Sequence, residues 1–142
     1  LSLQGRHRRI DVWWGGLERN GDLMLLLAHL LTRNADWRDA NIQICSIASN
    51  ETICEENRKK LDELLHEARI DASTKLLIKP KQLSIHELIH RESADADVVF
   101  LGLRNPLPQE RQAYAQRLHE LSEGLGTVFF VKNASLFVGE LV

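Results

Sequence analysis

The chain has 142 residues, 44% of them hydrophobic, enough for one ordinary globular domain with its own core and little more. Its 18 basic and 20 acidic side chains give a formal charge of −2, without the positive surplus that a nucleic-acid binder needs. The longest apolar stretch, Leu23 to Ala28 with Leu30 and Leu31 beyond His29, falls far short of the ~18–20 residues that cross a bilayer.

The chain opens at Leu1, its only methionine is Met24, and the first nine residues lack the apolar core of a secretory signal. The start reads as the cut edge of a longer protein, with 1–8 a flexible lead-in to a single α/β domain over 1–142. Arg6, Arg8 and Arg9 make it basic, either a solvated terminal segment or, if a membrane segment precedes it, one that lies against anionic headgroups. Cys45 and Cys54 have no disulfide framework around them and read as reduced thiols.

Ile10-Asp11-Val12-Trp13-Trp14 is a β-branched, aromatic strand that stops at Gly15-Gly16. After a loop over 17–21, Asp22 is expected to cap a helix running to about Arg33. That helix is apolar nearly all round and needs covering on more than the side that a sheet can supply. Trp37 sits in the connection to a second strand, 41–47. A long amphipathic helix, 51–68, presents Leu61, Leu64, Leu65 and Ala68 as its apolar stripe. A third strand, 74–79, ends at Pro80, and Ser84 caps a short helix to about His90. Asp97 to Leu103 is the clearest buried strand, the fourth. Pro106 and Pro108 start a helix to about Glu123, Gly124 and Gly126 end it, and 127–132 is a fifth strand. The apolar stretch 135–142 has no assignable type.

Strand–helix alternation of this kind predicts a three-layer α/β sandwich around a five-stranded, mostly parallel sheet in order 3-2-1-4-5. A ligand would then sit beyond the C-terminal ends of strands 1 and 4, where Gly15, Gly16, Gly21, Gly102 and Arg104 lie. These glycines have neither dinucleotide nor P-loop spacing and read first as turns. The fold resembles that of universal stress proteins, but their glycine-rich nucleotide run after strand 4 is absent: Gly102 is followed by Leu103-Arg104-Asn105. Nucleotide binding therefore stands as an alternative without a motif, and no cofactor is assigned.

His86-Glu87-Leu88-Ile89-His90 matches H-E-x-x-H, which on a helix sets two imidazoles one turn apart, with Glu87 in the place of a general base for zinc. The short helix, with Leu88 and Ile89 as its core face, leaves His86 and His90 toward solvent and a zinc hydrolase as the weakest alternative. Cys45, in mid-strand, reads as a buried small hydrophobe. Asp11 is a buried acid whose partners are either backbone or a nearby arginine.

The string Ile-Asp-Val-Trp-Trp at 10–14, a glycine-containing turn, and Asn-Gly-Asp-Leu-Met-Leu-Leu-Leu-Ala-His-Leu-Leu at 20–31 resemble the cytosolic C-terminal domain of the cation–chloride cotransporters. These are sodium–potassium–chloride and potassium–chloride symporters of the amino acid–polyamine–organocation superfamily. Trp37 with Asn41-Ile42-Gln43-Ile44, the apolar strand at 96–103 and Val128-Phe129-Phe130-Val131-Lys132-Asn133 follow the family's order. The connection at Pro80-Lys81-Gln82-Leu83 is short where animal members carry long phosphorylated insertions, so the resemblance is to a prokaryotic type. Asp11, Trp13 and Trp14 are the signature positions. The resemblance implies a non-catalytic regulatory and dimerising module on the cytoplasmic side of the membrane. Its partners would be its own transporter domain and a second copy, with no nucleic acid, and the module would lie near the membrane without inserting in it.

Overall fold

The computed structural model describes residues 8–14, 20–103 and 106–132. Five strands, β1 (Arg9–Trp13), β2 (Asn41–Ala48), β3 (Ser73–Ile78), β4 (Val98–Gly102) and β5 (Thr127–Val131), form one sheet in the order β3-β2-β1-β4-β5. Every pairing among them is parallel, as the expected order requires. Central β1 sets Val12 opposite Ile44 on one side and Phe100 on the other.

The helices are α1 (Asn20–Thr32), α2 (Glu51–Ala68), α3 (Ile85–Glu92) and α4 (Arg111–Ser122). Side chains alternate across the sheet with period two, which splits the core in two. On one face Ile10, Val12, Trp14, Ile44 and Phe100 pack against Met24, Leu25 and Ala28 of α1 and Leu61 of α2. On the other, Trp13, Cys45, Val99 and Leu101 meet Ile89 of α3 and Leu121 of α4. The three layers follow from these two faces.

Helix ends are set by local chemistry. The Ile53 N–H donates to Asn50 Oδ1 at 2.9 Å to open α2. Arg69 closes α2 with φ 54°, taking the left-handed position that glycine usually fills. At the start of α3, the Glu87 N–H donates to Ser84 Oγ and the Ser84 N–H donates to Glu87 Oε1, a reciprocal capping box.

Several boundaries differ from the sequence expectations. Helix α1 begins at Asn20, so Gly21 is helical and Asp22 sits in the first turn, not at the cap. Trp37 belongs to a 3-10 turn, Ala35–Trp37, capped by the Asn34 side chain. Pro108 opens a second 3-10 turn, Pro108–Glu110, that leads into α4. Arg8, expected in the lead-in, is held in place: its guanidinium lies 4.2 Å over the Trp37 ring, and its carbonyl accepts from the Asn41 N–H. The stretches 1–7 and 133–142, with the lead-in and the apolar tail, lie outside the described residues.

Candidate functional site

Among the described residues Asp11 is the one buried acid, and two neighbours, Arg9 and Ser93, hold it. Asp11 is 0% exposed, and Arg9 Nε and Nη2 donate to its two oxygens at 3.0 and 3.1 Å. Ser93 Oγ donates to Asp11 Oδ2 at 2.7 Å and accepts from Trp13 Nε1 at 2.9 Å. Arg9 Nη2 also donates to the Glu92 carbonyl, and the Arg9 N–H to Asp97 Oδ2 at 2.8 Å. Burying a carboxylate costs several kcal/mol unless it is paired and hydrogen-bonded, and here Asp11 is both. Both carboxylate oxygens are engaged, so the group works as a clamp between β1 and the turn from α3 to β4. Arg9 is thereby engaged by Asp11, and Arg8 by Trp37. Ser93 carried no sequence signal, because its role depends on a contact 82 residues away.

Cys45 is fully buried beside this clamp. Burial, and then the negative charge of Asp11, push its thiol up to about 12. A thiol held protonated is a poor nucleophile.

The crevice beyond β1 and β4 is occupied in part by protein. Trp14 is 8% exposed, and its N–H extends the sheet by donating to the Cys45 carbonyl at 2.8 Å. A Cβ on Gly21 would fall 2.1 Å from Trp14 Cδ1. Gly21 is therefore needed for close approach of the indole to the first turn of α1, not for cradling a phosphate. That turn is where a phosphate would take helix N–H groups. Gly102 is exposed at the end of β4, and Gly15, Gly16 and Arg104 lie outside the described residues.

The H-E-x-x-H helix departs from expectation. His86 and His90 are half-buried, not turned to solvent, and line a groove of about 390 Å³ with Glu87, Glu120 and Leu121. Burial, then the charges of Arg117 and His90, hold His86 below the usual imidazole range, while Glu120 opposes them. Glu87 closes the capping box and is not poised as a base. Among the described residues no three His, Cys, Asp or Glu side chains are grouped to hold a metal ion. Glu120 was invisible in sequence because only the packing of α4 on α3 brings it there.

A second, apolar groove lies on the opposite face. It has a volume of about 510 Å³ and runs between Leu27 and Leu31 of α1 and Phe129 and Val131 of β5, floored by Phe100. Phe100 and Phe129 stack with ring centroids 5.2 Å apart. Leu26, Leu27 and Leu30 are 49%, 36% and 53% exposed. The all-round apolarity of α1 thus does exceed what the sheet covers.

Among solved structures, a universal stress protein in complex with cAMP superposes with a TM-score of 0.60 at 14% identity, over 90% of this chain and 98% of that one. A macrolide-efflux protein from Streptococcus pneumoniae gives 0.54 at 14% identity, over 89% of this chain and 45% of that one. Both share the α/β architecture. Sequence relatives include cation-chloride cotransporter 2 of Oryza sativa subsp. japonica, 33% identical over 71 residues, 50% of this chain and 7% of the rice protein. Solute carrier family 12 member 2 of Homo sapiens is 31% identical over 108 residues, covering 67% of this chain and 9% of the human protein. The chain thus corresponds to less than a tenth of the length of these relatives, and no helix among its described residues is long and apolar enough to cross a membrane. The family model for solute carrier family 12 matches residues 3–80, through the β1 clamp, α1 and α2 to the end of β3. On that match the chain belongs to solute carrier family 12, a family of membrane transporters that includes these cation–chloride cotransporters.

Proposed function

We propose that this chain is a non-catalytic regulatory and dimerising module of a secondary-active cation–chloride cotransporter, working on the cytoplasmic side of the membrane beside its own transporter domain. The observation that carries the reading is the outer stripe of α1. Leu26 and Leu30, one helical turn apart, are about half exposed in a chain whose family is a transporter family. Exposed leucines in a continuous stripe favour association, either with a second copy or with another part of the same transporter. The structural use of three groups with reactive chemistry supports the same view. Asp11 is clamped, Cys45 is held as a thiol, and Glu87 caps its own helix.

Sedimentation of the 142-residue chain over a range of concentrations tests this. A monomer–dimer equilibrium is expected, shifted toward monomer by Leu26→Asp with Leu30→Asp. Strictly monomeric behaviour at the highest concentration would overturn the dimerising role. The nucleotide alternative is separable by melting: a ligand of the native state raises the melting temperature by mass action. With Trp14 against the first turn of α1, adenine nucleotides are expected to leave it unchanged.

A further inference from the structure

Two imidazoles share the groove between α3 and α4. His86 and His90 are four residues apart within α3, which sets them one turn apart on one side of the helix, with Cβ atoms about 6 Å from each other. Leu88 and Ile89 between them are buried and anchor the helix. Both histidines are half-buried beside that anchor, so part of their rotamer freedom is already lost before any ligand arrives. The facing helix brings Glu120 to the same groove, with one carboxylate oxygen accepting from Gln116 Nε2 at 3.2 Å. Neither histidine has a part in the Asp11 clamp or in the stripe of α1.

We propose that His86 and His90 chelate a divalent transition-metal ion of the zinc type, bound reversibly in the α3–α4 groove. Imidazole nitrogen suits Zn²⁺, Ni²⁺ and Cu²⁺, whereas Mg²⁺ and Ca²⁺ take oxygen ligands. Two such nitrogens on successive turns of one helix close a chelate without moving the backbone. Among the described residues no third His, Cys, Asp or Glu groups with them to hold a metal ion. Water therefore fills the other positions, and the ion exchanges, unlike one in a closed structural site. Glu120 across the groove offsets part of its charge. Glu87 caps its own helix through Ser84, so metal-bound water has no base there and the site is not hydrolytic. A helix of eight residues is marginal by itself, and a metal bridging two of its turns stiffens it. Ser93 closes the end of α3 and donates to Asp11, so the bound ion steadies the turn that the Asp11 clamp grips. The site lies across the sheet from α1 and is independent of the dimerising role.

The test is calorimetric titration of the 142-residue chain with zinc chloride alone, in a Cys54→Ser background that removes the half-buried thiol as a competing ligand. One saturable site per chain is expected. His86→Gln and His90→Gln should each weaken it by at least about tenfold. His119→Gln, which removes the exposed histidine paired with Glu123, should leave it unchanged. No binding at about 1 mM zinc, or binding that survives both single substitutions, would overturn the chelate. Nitrogen-15 spectra of the histidine side chains read the native residues directly, without relying on the variants to fold. The His86 and His90 imidazoles should shift together on adding zinc while those of His29 and His119 stay in place; the opposite pattern would refute the site. At about ten times its dissociation constant zinc should raise the melting temperature by about 5 °C. An equal rise in the His86→Gln, His90→Gln double variant, or with magnesium in place of zinc, would also overturn it.

Discussion

Ser93→Ala removes a single oxygen and tests whether the Asp11 clamp holds the sheet to the turn after α3. In the native chain Ser93 Oγ donates to Asp11 at 2.7 Å and accepts from Trp13 at 2.9 Å, with all three residues buried. The substitution takes a donor from a buried carboxylate, a loss of about 1.5–3 kcal/mol for a hydrogen bond to a charged group. It also strands the indole N–H, at about 1–3 kcal/mol for an unsatisfied buried donor. One oxygen serves both bonds, so the losses are less than additive, and Arg9 still holds both carboxylate oxygens. The expected cost is about 3 kcal/mol, which in a chain of this size lowers the melting temperature by roughly 8–15 °C. Urea denaturation followed by tryptophan fluorescence and by circular dichroism measures it, with an unchanged denaturant slope showing that only stability moved. A double-mutant cycle adds specificity: in an Asp11→Asn background Ser93→Ala should cost at least ~1 kcal/mol less. A cost below about 1 kcal/mol, or strict additivity with Asp11→Asn, would refute the clamp.

Gly21→Ala places a methyl group 2.1 Å from Trp14 Cδ1 and forces the indole from its pocket. Such overpacking is expected to cost about 1–3 kcal/mol and to red-shift tryptophan emission; a neutral or stabilising Ala would sink the packing role assigned to Gly21. His86 titrates below its ordinary 6.5 in the folded chain, from burial and then the charges of Arg117 and His90. The unfolded chain therefore takes the proton first, so stability should decline as pH falls through 6.5 and level off below the folded value. His86→Gln should flatten that decline in urea titrations between about pH 7.5 and 5.5; a slope unchanged by the substitution would contradict it. Cys45, with its thiol raised to about 12, should resist iodoacetamide at pH 8 in the native chain and react only on unfolding. Peptide mapping that finds it alkylated as fast as Cys54 would show the β2 core to be open.

The layer order was readable because the apolar period changes cleanly from two to three or four along the chain. Val98 to Leu101, buried at every position, has to be a central strand, and the Leu61 stripe of α2 has to face one. What escaped the sequence is long-range or fine-grained. The start of α1 was misplaced because Gly21 looks like a loop residue until Trp14 is seen against it. The histidines of α3 were turned to solvent because nothing local shows that α4 brings Glu120 alongside them. The Ser46–Asn57 hydrogen bond, a buried polar pair between β2 and α2, left no trace in the hydrophobic pattern. Each depends on which helix lands beside which, and spacing within one element does not encode that.

The signature string shows why a packing motif can be more specific than a catalytic-looking one. Residues 10 to 14 alternate across the sheet, so the odd positions Asp11 and Trp13 serve the α3 face and the even positions Ile10, Val12 and Trp14 serve the α1 face. Asp11 needs Arg9 and Ser93, Trp13 needs Ser93, and Trp14 needs Gly21, so five consecutive side chains are fixed by demands from both layers at once. A segment constrained in this way tolerates little change in side-chain size or polarity. Among the surfaces that packing leaves open are the outer leucines of α1 and the uncharged edge of β5, both suited to contact with polypeptide.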